Sequence, residues 1–213
     1  MIKLGLGIVV AYLLGSIPTA VWIGRIFYGV DVRTQGSGNA GATNTIRVLG
    51  AGAGIPVLAF DIFKSWLAVI LARYFGSSLP LESNYLINYQ ILLGVVAVIG
   101  HIFPVYVGFK GGKGVASLVG ILIALFPVAF FIALGIFIVV YILWNYISLS
   151  SIVAAITFPF IETFLLHQQH LSLIIFSFMV GIFVPITHRK NISRLLKGEE
   201  HKFLMKPKKR KDH

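Results

Sequence analysis

The sequence predicts an all-α protein that crosses a lipid bilayer several times, and three observations carry that expectation. Of 213 residues, 57% are hydrophobic and 12% charged, about half the charged share of an ordinary soluble domain. The mean hydropathy is +0.90. Four long stretches, 4–24, 83–109, 114–161 and 163–188, hold no Asp, Glu, Lys or Arg. A helix of about 20 residues crosses roughly 30 Å of hydrocarbon. Residues 1–203 are therefore expected to form a single transmembrane domain, followed by a basic tail, 204–213.

Seven apolar segments follow in order. The first, about 3–25, opens like a signal peptide with one Lys, an apolar run and small residues. The run continues through Val21, Trp22 and Ile23 to Arg25, which predicts a retained anchor. The second, 54–75, is interrupted by Asp61 and Lys64, which are expected to neutralise each other near the inner interface. The third is 86–107. Residues 114–161 are too many for one span, so Pro127, Pro159 and the small polar cluster Ser148, Ser150, Ser151 offer places to break or turn. This divides the remainder into 115–127, 128–146, 150–167 and 170–187. Taking 115–146 as one tilted helix and 150–187 as one broken helix gives five spans instead. Glu162 falls near the outer surface with His167 and His170, without obvious function.

Either count is odd, so the termini lie on opposite sides. An outside amino terminus places Arg25, Arg33, Arg47, Lys110, Lys113 and the whole basic carboxyl end inside, leaving Lys3 and Arg73 outside. Ten of the 18 Lys and Arg lie in 189–211. The positive-inside rule then predicts a cytoplasmic carboxyl terminus. A basic tail beside a membrane span points to topology and anionic membrane lipids rather than to nucleic acid. The same assignment gathers three polar segments, 31–50, 108–117 and 188–202, on the inner face.

The first segment reads QGSGNAGATNTIRVLG, Gln35 to Gly50. Gly36, Gly38 and Gly41 permit close or left-handed backbone. Ser37, Asn39, Thr43 and Asn44 are short and polar, and Arg47 offers a bidentate donor suited to phosphate. On composition alone, a flexible loop with an interfacial Arg reads equally well. The second segment, Gly100 to Ser117, sets Gly108, Gly111, Gly112 and Gly114 around Lys110 and Lys113. It is not a Walker A loop: three residues, not four, separate Gly108 from Gly112, and Gly114 follows Lys113. Donors plus Lys at a helix start still suit a phosphate. The third, THRKNISRLLKGEEHK, sets Ile192, Leu195 and Leu196 apart from His188, Asn191, Arg194 and Lys197. By itself it reads as a juxtamembrane amphipathic helix that meets lipid headgroups.

Several chemistries are excluded. Zero Cys removes thioester, disulfide and thiolate-metal chemistry. No GxSxG elbow and no HExxH zinc motif occurs. No His is followed by Asp in the HxxxxD pattern of the common glycerolipid acyltransferases; His188, for instance, reaches Ser193. An organic-phosphate transporter and a lipid-binding scaffold remain as alternatives to an enzyme.

Taken together, the segments GSGNxGATN with a nearby Arg, GHxFPVxxxFKGGKG and HRxNIxRLxxGxE resemble the bacterial acyl-phosphate:glycerol-3-phosphate acyltransferases. They stand here as Gly36 to Arg47, Gly100 to Gly114 and His188 to Glu200. The resemblance covers nearly the whole chain, up to about Phe203. It implies transfer of an acyl group from acyl phosphate to the 1-hydroxyl of glycerol-3-phosphate, giving lysophosphatidate and inorganic phosphate in a bacterial inner membrane. It implies no cofactor and no metal. It carries catalytic roles to Ser37, Arg47, His188 and Asn191, and a structural role to Glu200. It carries substrate binding to Gly38, Asn39, Thr43, Asn44, Lys110, Gly111, Gly112, Lys113 and Gly114, and more weakly to Ser150 and Ser151. The enzyme that makes the acyl phosphate is a candidate partner that the sequence does not identify.

Overall fold

The computed structural model describes residues 1–80 and 84–203; the expected tail 204–213 lies outside them. Among the described residues, all regular structure is helical. Helices α1 (Ile2–Ser16) and α2 (Thr19–Tyr28) meet at a 41° bend. Pro18 sits at that bend and supplies no amide hydrogen to continue the first helix. Short α3 (Ala42–Leu49) and long α4 (Ala51–Phe75) share Gly50 as their joint, at φ +92°, where only glycine is at ease. Then come α5 (Asn84–Ile102), α6 (Val115–Leu125), α7 (Pro127–Trp144), α8 (Ile147–Phe160) with a π-helical turn over Ile161–Leu165, α9 (Leu171–Thr187) and α10 (Arg189–Leu196).

Each of the seven apolar segments is helical, but they are not seven equivalent spans. Four helices are long and apolar enough to cross alone: α4, α5 extended to Val107, α7, and α8 with its π-helical turn. Six are, if the bent pairs α1–α2 and α9–α10 each count as one. The remaining segment, the fourth, is α6, whose 11 residues rise only about 16 Å, half the hydrocarbon thickness. The protein is thus an all-α integral membrane protein with four to six candidate spans. The single tilted helix expected over 115–146 is absent, and 150–187 forms two helices side by side. Phe126 (φ −135°, ψ 50°) separates α6 from α7, and α8 folds beside α9, with Gly181 against Ala155 and Pro159.

Pro127 begins α7, where a missing N–H costs nothing. Pro159 does not break its helix; it lies inside α8, two residues ahead of the π-helical turn. The serine cluster is not a turn either. The turn falls earlier, at Asn145 (φ 60°), and Ser148, Ser150 and Ser151 already belong to α8.

Small residues set the helix spacing. A Cβ on Gly15 would overlap the Ala97 backbone, one on Gly100 the Tyr12 carbonyl, and one on Gly120 the Ile62 carbonyl. In a lipid solvent such close backbone approach, rather than hydrophobic exclusion, drives helix association. Ala11, Ala68, Ala72 and Ala97 fill the α1–α4–α5 seam, while Phe126, Phe158 and Phe176 pack between α6, α7, α8 and α9. Large apolar side chains such as Phe131, Ile142 and Ile182 face outward.

The three polar segments converge. Arg33 donates to the carbonyls of Val107 and Lys110, Lys113 reaches Asn191, and Ser148 reaches Glu200. The α7–α8 turn joins them, because the Asn145 carbonyl accepts from the Phe203 amide.

Candidate active site

The first polar segment is held by two side chains that face inward. Asp31 caps the 3-10 turn Val32–Thr34 and accepts from Arg33 (Nη2 at 2.8 Å) and Arg25 (2.8 Å). Hydrogen bonds from Arg33 hold the Asp31 carboxyl well below the usual range, against the opposing effect of burial. Arg33 then reaches across to Val107 and Lys110, at 3.0 and 3.2 Å, tying the first segment to the second. Asn44, 1% exposed, donates to the carbonyls of Val32 and Gln35 and accepts from the Ser37 amide. Its amide protons are both engaged by the loop. Asn44 therefore holds the loop in shape. Gly36 (φ +60°) and Gly38 (φ +72°) flank Ser37, whose side chain is exposed. Thr43 and Asn39 are half-buried nearby in sequence. Arg47, on α3, is exposed and has no partner among the described residues.

The second segment uses its glycines differently from the expected anion cradle. The amides of Gly111 and Gly112 donate to the carbonyls of Ile102 and His101, at 3.0 and 3.2 Å. A Cβ on Gly111 would overlap the His101 carbonyl, and one on Gly112 the His101 ring. These two glycines let the strand of loop lie flat on the end of α5, and their N–H groups are already paired. Gly114 (φ +82°) starts α6. Lys110 is exposed beside an open cleft of about 520 Å³ that also touches Arg33, Gly38 and Gly111.

Lys113 is the centre of the site. Its amine donates to Asn191 Oδ1. Asn191 Nδ2 donates to Glu200 Oε1 at 2.6 Å, the Ser148 hydroxyl donates to the same oxygen at 2.8 Å, and Arg194 Nε pairs with Oε2 at 2.6 Å. Burial, then the charges of Arg194, Arg47 and Lys190, bring the Lys113 pKa down to about 8, with Glu200 opposing. Burial alone would raise Glu200, but Arg194, Asn191 and Ser148 together hold it below the usual range. His188 is 6% exposed, and its Nδ1 lies 2.9 Å from the Val184 carbonyl. A carbonyl only accepts, so Nδ1 carries a proton and Nε2 is the nitrogen left for other work.

The structure thus unites Lys113, His188, Asn191 and Glu200, with Arg47 near enough for its charge to act on Lys113. It does not bring in Ser150 and Ser151. Both hydroxyls donate back to their own helix, at Tyr146 and Ile147, 2.9 Å each, as helical serines commonly do. Ser148, two positions earlier, is the serine that reaches the network. No site role was expected from the sequence for Arg194 or for the Asp31–Arg33 clamp. The visible signals were an acidic residue two before an Arg, and the adjacent carboxylates Glu199 and Glu200 in an otherwise basic stretch. Among the described residues, no three His, Asp or Glu gather as a metal set.

Fold and site together define an integral membrane protein with a cationic, partly buried polar centre at one end of a helix bundle. The family model for glycerol-3-phosphate acyltransferase matches residues 5–198, and the chain belongs to that family of membrane enzymes of phospholipid synthesis. It is 45% identical over 196 residues to a glycerol-3-phosphate acyltransferase of Fusobacterium nucleatum, covering 92% of this chain and 96% of that one. It is 43% identical over 200 residues to one from Streptococcus pyogenes, covering 91% and 90%. Among solved structures, the glycerol 3-phosphate form of the integral membrane acyltransferase PlsY (YgiH) superposes with a TM-score of 0.81 at 33% identity, covering 94% of this chain and 96% of that chain. Its lysophosphatidic acid form gives 0.79, also at 33% identity, covering 95% and 96%.

Proposed function

We propose that this glycerol-3-phosphate acyltransferase takes its acyl group from an acyl phosphate and transfers it to the 1-hydroxyl of glycerol-3-phosphate. The hydroxyl oxygen bonds to the acyl carbon, the bond from that carbon to the phosphate oxygen breaks, and lysophosphatidate and inorganic phosphate leave. The hydroxyl proton goes to His188 Nε2 or to the departing phosphate. An acyl phosphate is already an activated mixed anhydride, so orientation and charge stabilisation carry most of the catalysis.

The observation that carries the reading is the Lys113 network. One partly buried ammonium is oriented by Asn191, which is itself fixed by Glu200, while Arg47 stands unpaired beside it. Two cations of different reach suit two phosphate-bearing substrates. Ser37, exposed on the loop facing the second segment, contacts the reacting groups. Lys110, Gly38, Asn39 and Thr43 border the substrate, and Gly111, Gly112 and Gly114 set the backbone that carries Lys113. The relatives' glycerol 3-phosphate and lysophosphatidic acid forms support this choice of acceptor and product.

The polar end faces the cytoplasm of the bacterial inner membrane, with the amino terminus outside. The placement of Arg25, Arg33, Arg47, Lys110 and Lys113 at the end that also holds the carboxyl segment supports this, as does the residence of Lys3 and Arg73 elsewhere. The acyl chain of the donor lies among membrane lipids.

Purified protein in lipid, given labelled glycerol-3-phosphate with either palmitoyl phosphate or palmitoyl-CoA, tests the reading. Label entering lysophosphatidate with the acyl phosphate alone is the expected result. Transfer from the CoA ester would keep the acceptor and overturn the donor.

A further inference from the structure

The glycine-rich loop rests on a buried polar cluster that the reaction above does not use. Asp61, on α4, is 1% exposed. Its Oδ1 lies 2.7 Å from Lys64 Nζ, 3.3 Å from Thr19 Oγ1 and 3.5 Å from Nδ1 of His101. Lys64 is also 1% exposed and donates to the Ile17 carbonyl at 2.9 Å. The ion pair is balanced without His101. A balanced buried pair is often no more stable than apolar residues in its place, so its position calls for a reason beyond stability.

His101 supplies one. It sits in the last turn of α5, 6% exposed, with Nδ1 toward Asp61 and Nε2 toward the backbone of Gly112. The ring occupies the space that a side chain on Gly112 would need. The His101 carbonyl accepts from the Gly112 amide, so ring and backbone of one residue grip the same stretch of loop. The next residue is Lys113. We infer that His101 is a positioning residue for glycerol-3-phosphate binding: Asp61 fixes its ring, the ring fixes the height of the Gly111–Gly112 backbone, and that height places the Lys113 ammonium against Asn191. The inference rests on Lys113 binding the acceptor's phosphate.

Geometry provides a specific test. Gly112→Ala pushes a methyl into the ring, and His101→Ala removes what it collides with. Each single variant is expected to raise KM for glycerol-3-phosphate about tenfold, in line with the large effects of displacements near 1 Å. In His101→Ala/Gly112→Ala the methyl refills the vacated space, and KM should fall well short of the product of the single effects. kcat and KM for the acyl donor should change less than about threefold, because neither substitution touches the reacting atoms. His101→Asn keeps a donor toward Asp61 but ends short of Gly112; it carries the same expectation and replaces alanine if that variant does not fold. Multiplying effects in the double variant would overturn the inference, as would an unchanged KM in His101→Ala and His101→Asn. The measurements use whichever acyl donor the wild type accepts, so the donor reading and this inference fail separately.

Discussion

Replacing Glu200 by Ala removes one carboxylate and leaves three donors without an acceptor. Arg194 is the least costly of them. Its side chain is 34% exposed, water can take over, and its pair is worth about 1 kcal/mol or less. Asn191 and the Ser148 hydroxyl are buried, and a buried donor stripped of its partner costs about 1–3 kcal/mol. Because the three share one acceptor, their losses do not add fully, and a total near 3 kcal/mol is expected. The functional loss follows from the same geometry. Asn191 can present Oδ1 to Lys113 only while its Nδ2 is held by Glu200; once released, the amide turns and Lys113 loses its orienting partner. Glu200→Gln retains an acceptor oxygen without the charge and should fall between wild type and Glu200→Ala. The assay is a thermal melt in detergent, paired with KM for glycerol-3-phosphate measured well below the melting range. Glu200→Ala with wild-type melting and wild-type KM would refute the network.

Arg47→Lys should leave the melting temperature unchanged, since Arg47 has no partner to lose, yet lower kcat/KM about 100-fold because an ammonium cannot reproduce a bidentate donor; near-normal turnover sinks its role. Lys113 with a pKa of about 8 binds phosphate only when charged, so protonated enzyme predominates below that pH and is lost above it. kcat/KM for glycerol-3-phosphate should then fall about tenfold per pH unit above 8, and a profile flat to pH 10 would exclude Lys113 as the titrating cation. Ser148→Ala should lower stability by about 1 kcal/mol and raise KM, whereas Ser150→Ala and Ser151→Ala should stay within about 0.5 kcal/mol of wild type. Loss of activity in Ser151→Ala at wild-type stability would restore that residue to the site.

Hydropathy alone located each apolar segment, because a bilayer demands long charge-free helices and little else satisfies that demand. It could not say which segments cross unaided. The 11 residues of α6 end at Phe126, and the close approach of the helix backbones is set by Gly15, Gly100 and Gly120 at contacts remote in sequence. The candidate site was legible in outline through the resemblance of its three motifs; on composition alone Arg47 reads equally well as part of a flexible loop, and His188 and Asn191 as part of a juxtamembrane amphipathic helix. Ser148 was not separable from Ser150 and Ser151. All three precede the same apolar run, and only the helix phase, counted from a turn at Asn145, decides which hydroxyl faces Glu200 and which fold back on their own carbonyls.

The glycines separate this site from a phosphate loop of the nucleotide-binding kind. There, successive amides point at the anion and the backbone itself is the receptor. Here the amides of Gly111 and Gly112 are turned back to the end of α5, and those of Ser37 and Gly38 are held by Asn44 and Gln35. With these four N–H groups engaged inside the protein, phosphate recognition in the proposed reading falls chiefly to the side-chain cations Lys113 and Arg47. In that reading one cation takes the phosphate of the acceptor alcohol and the other that of the activated acyl donor, on loops whose shape the glycines secure.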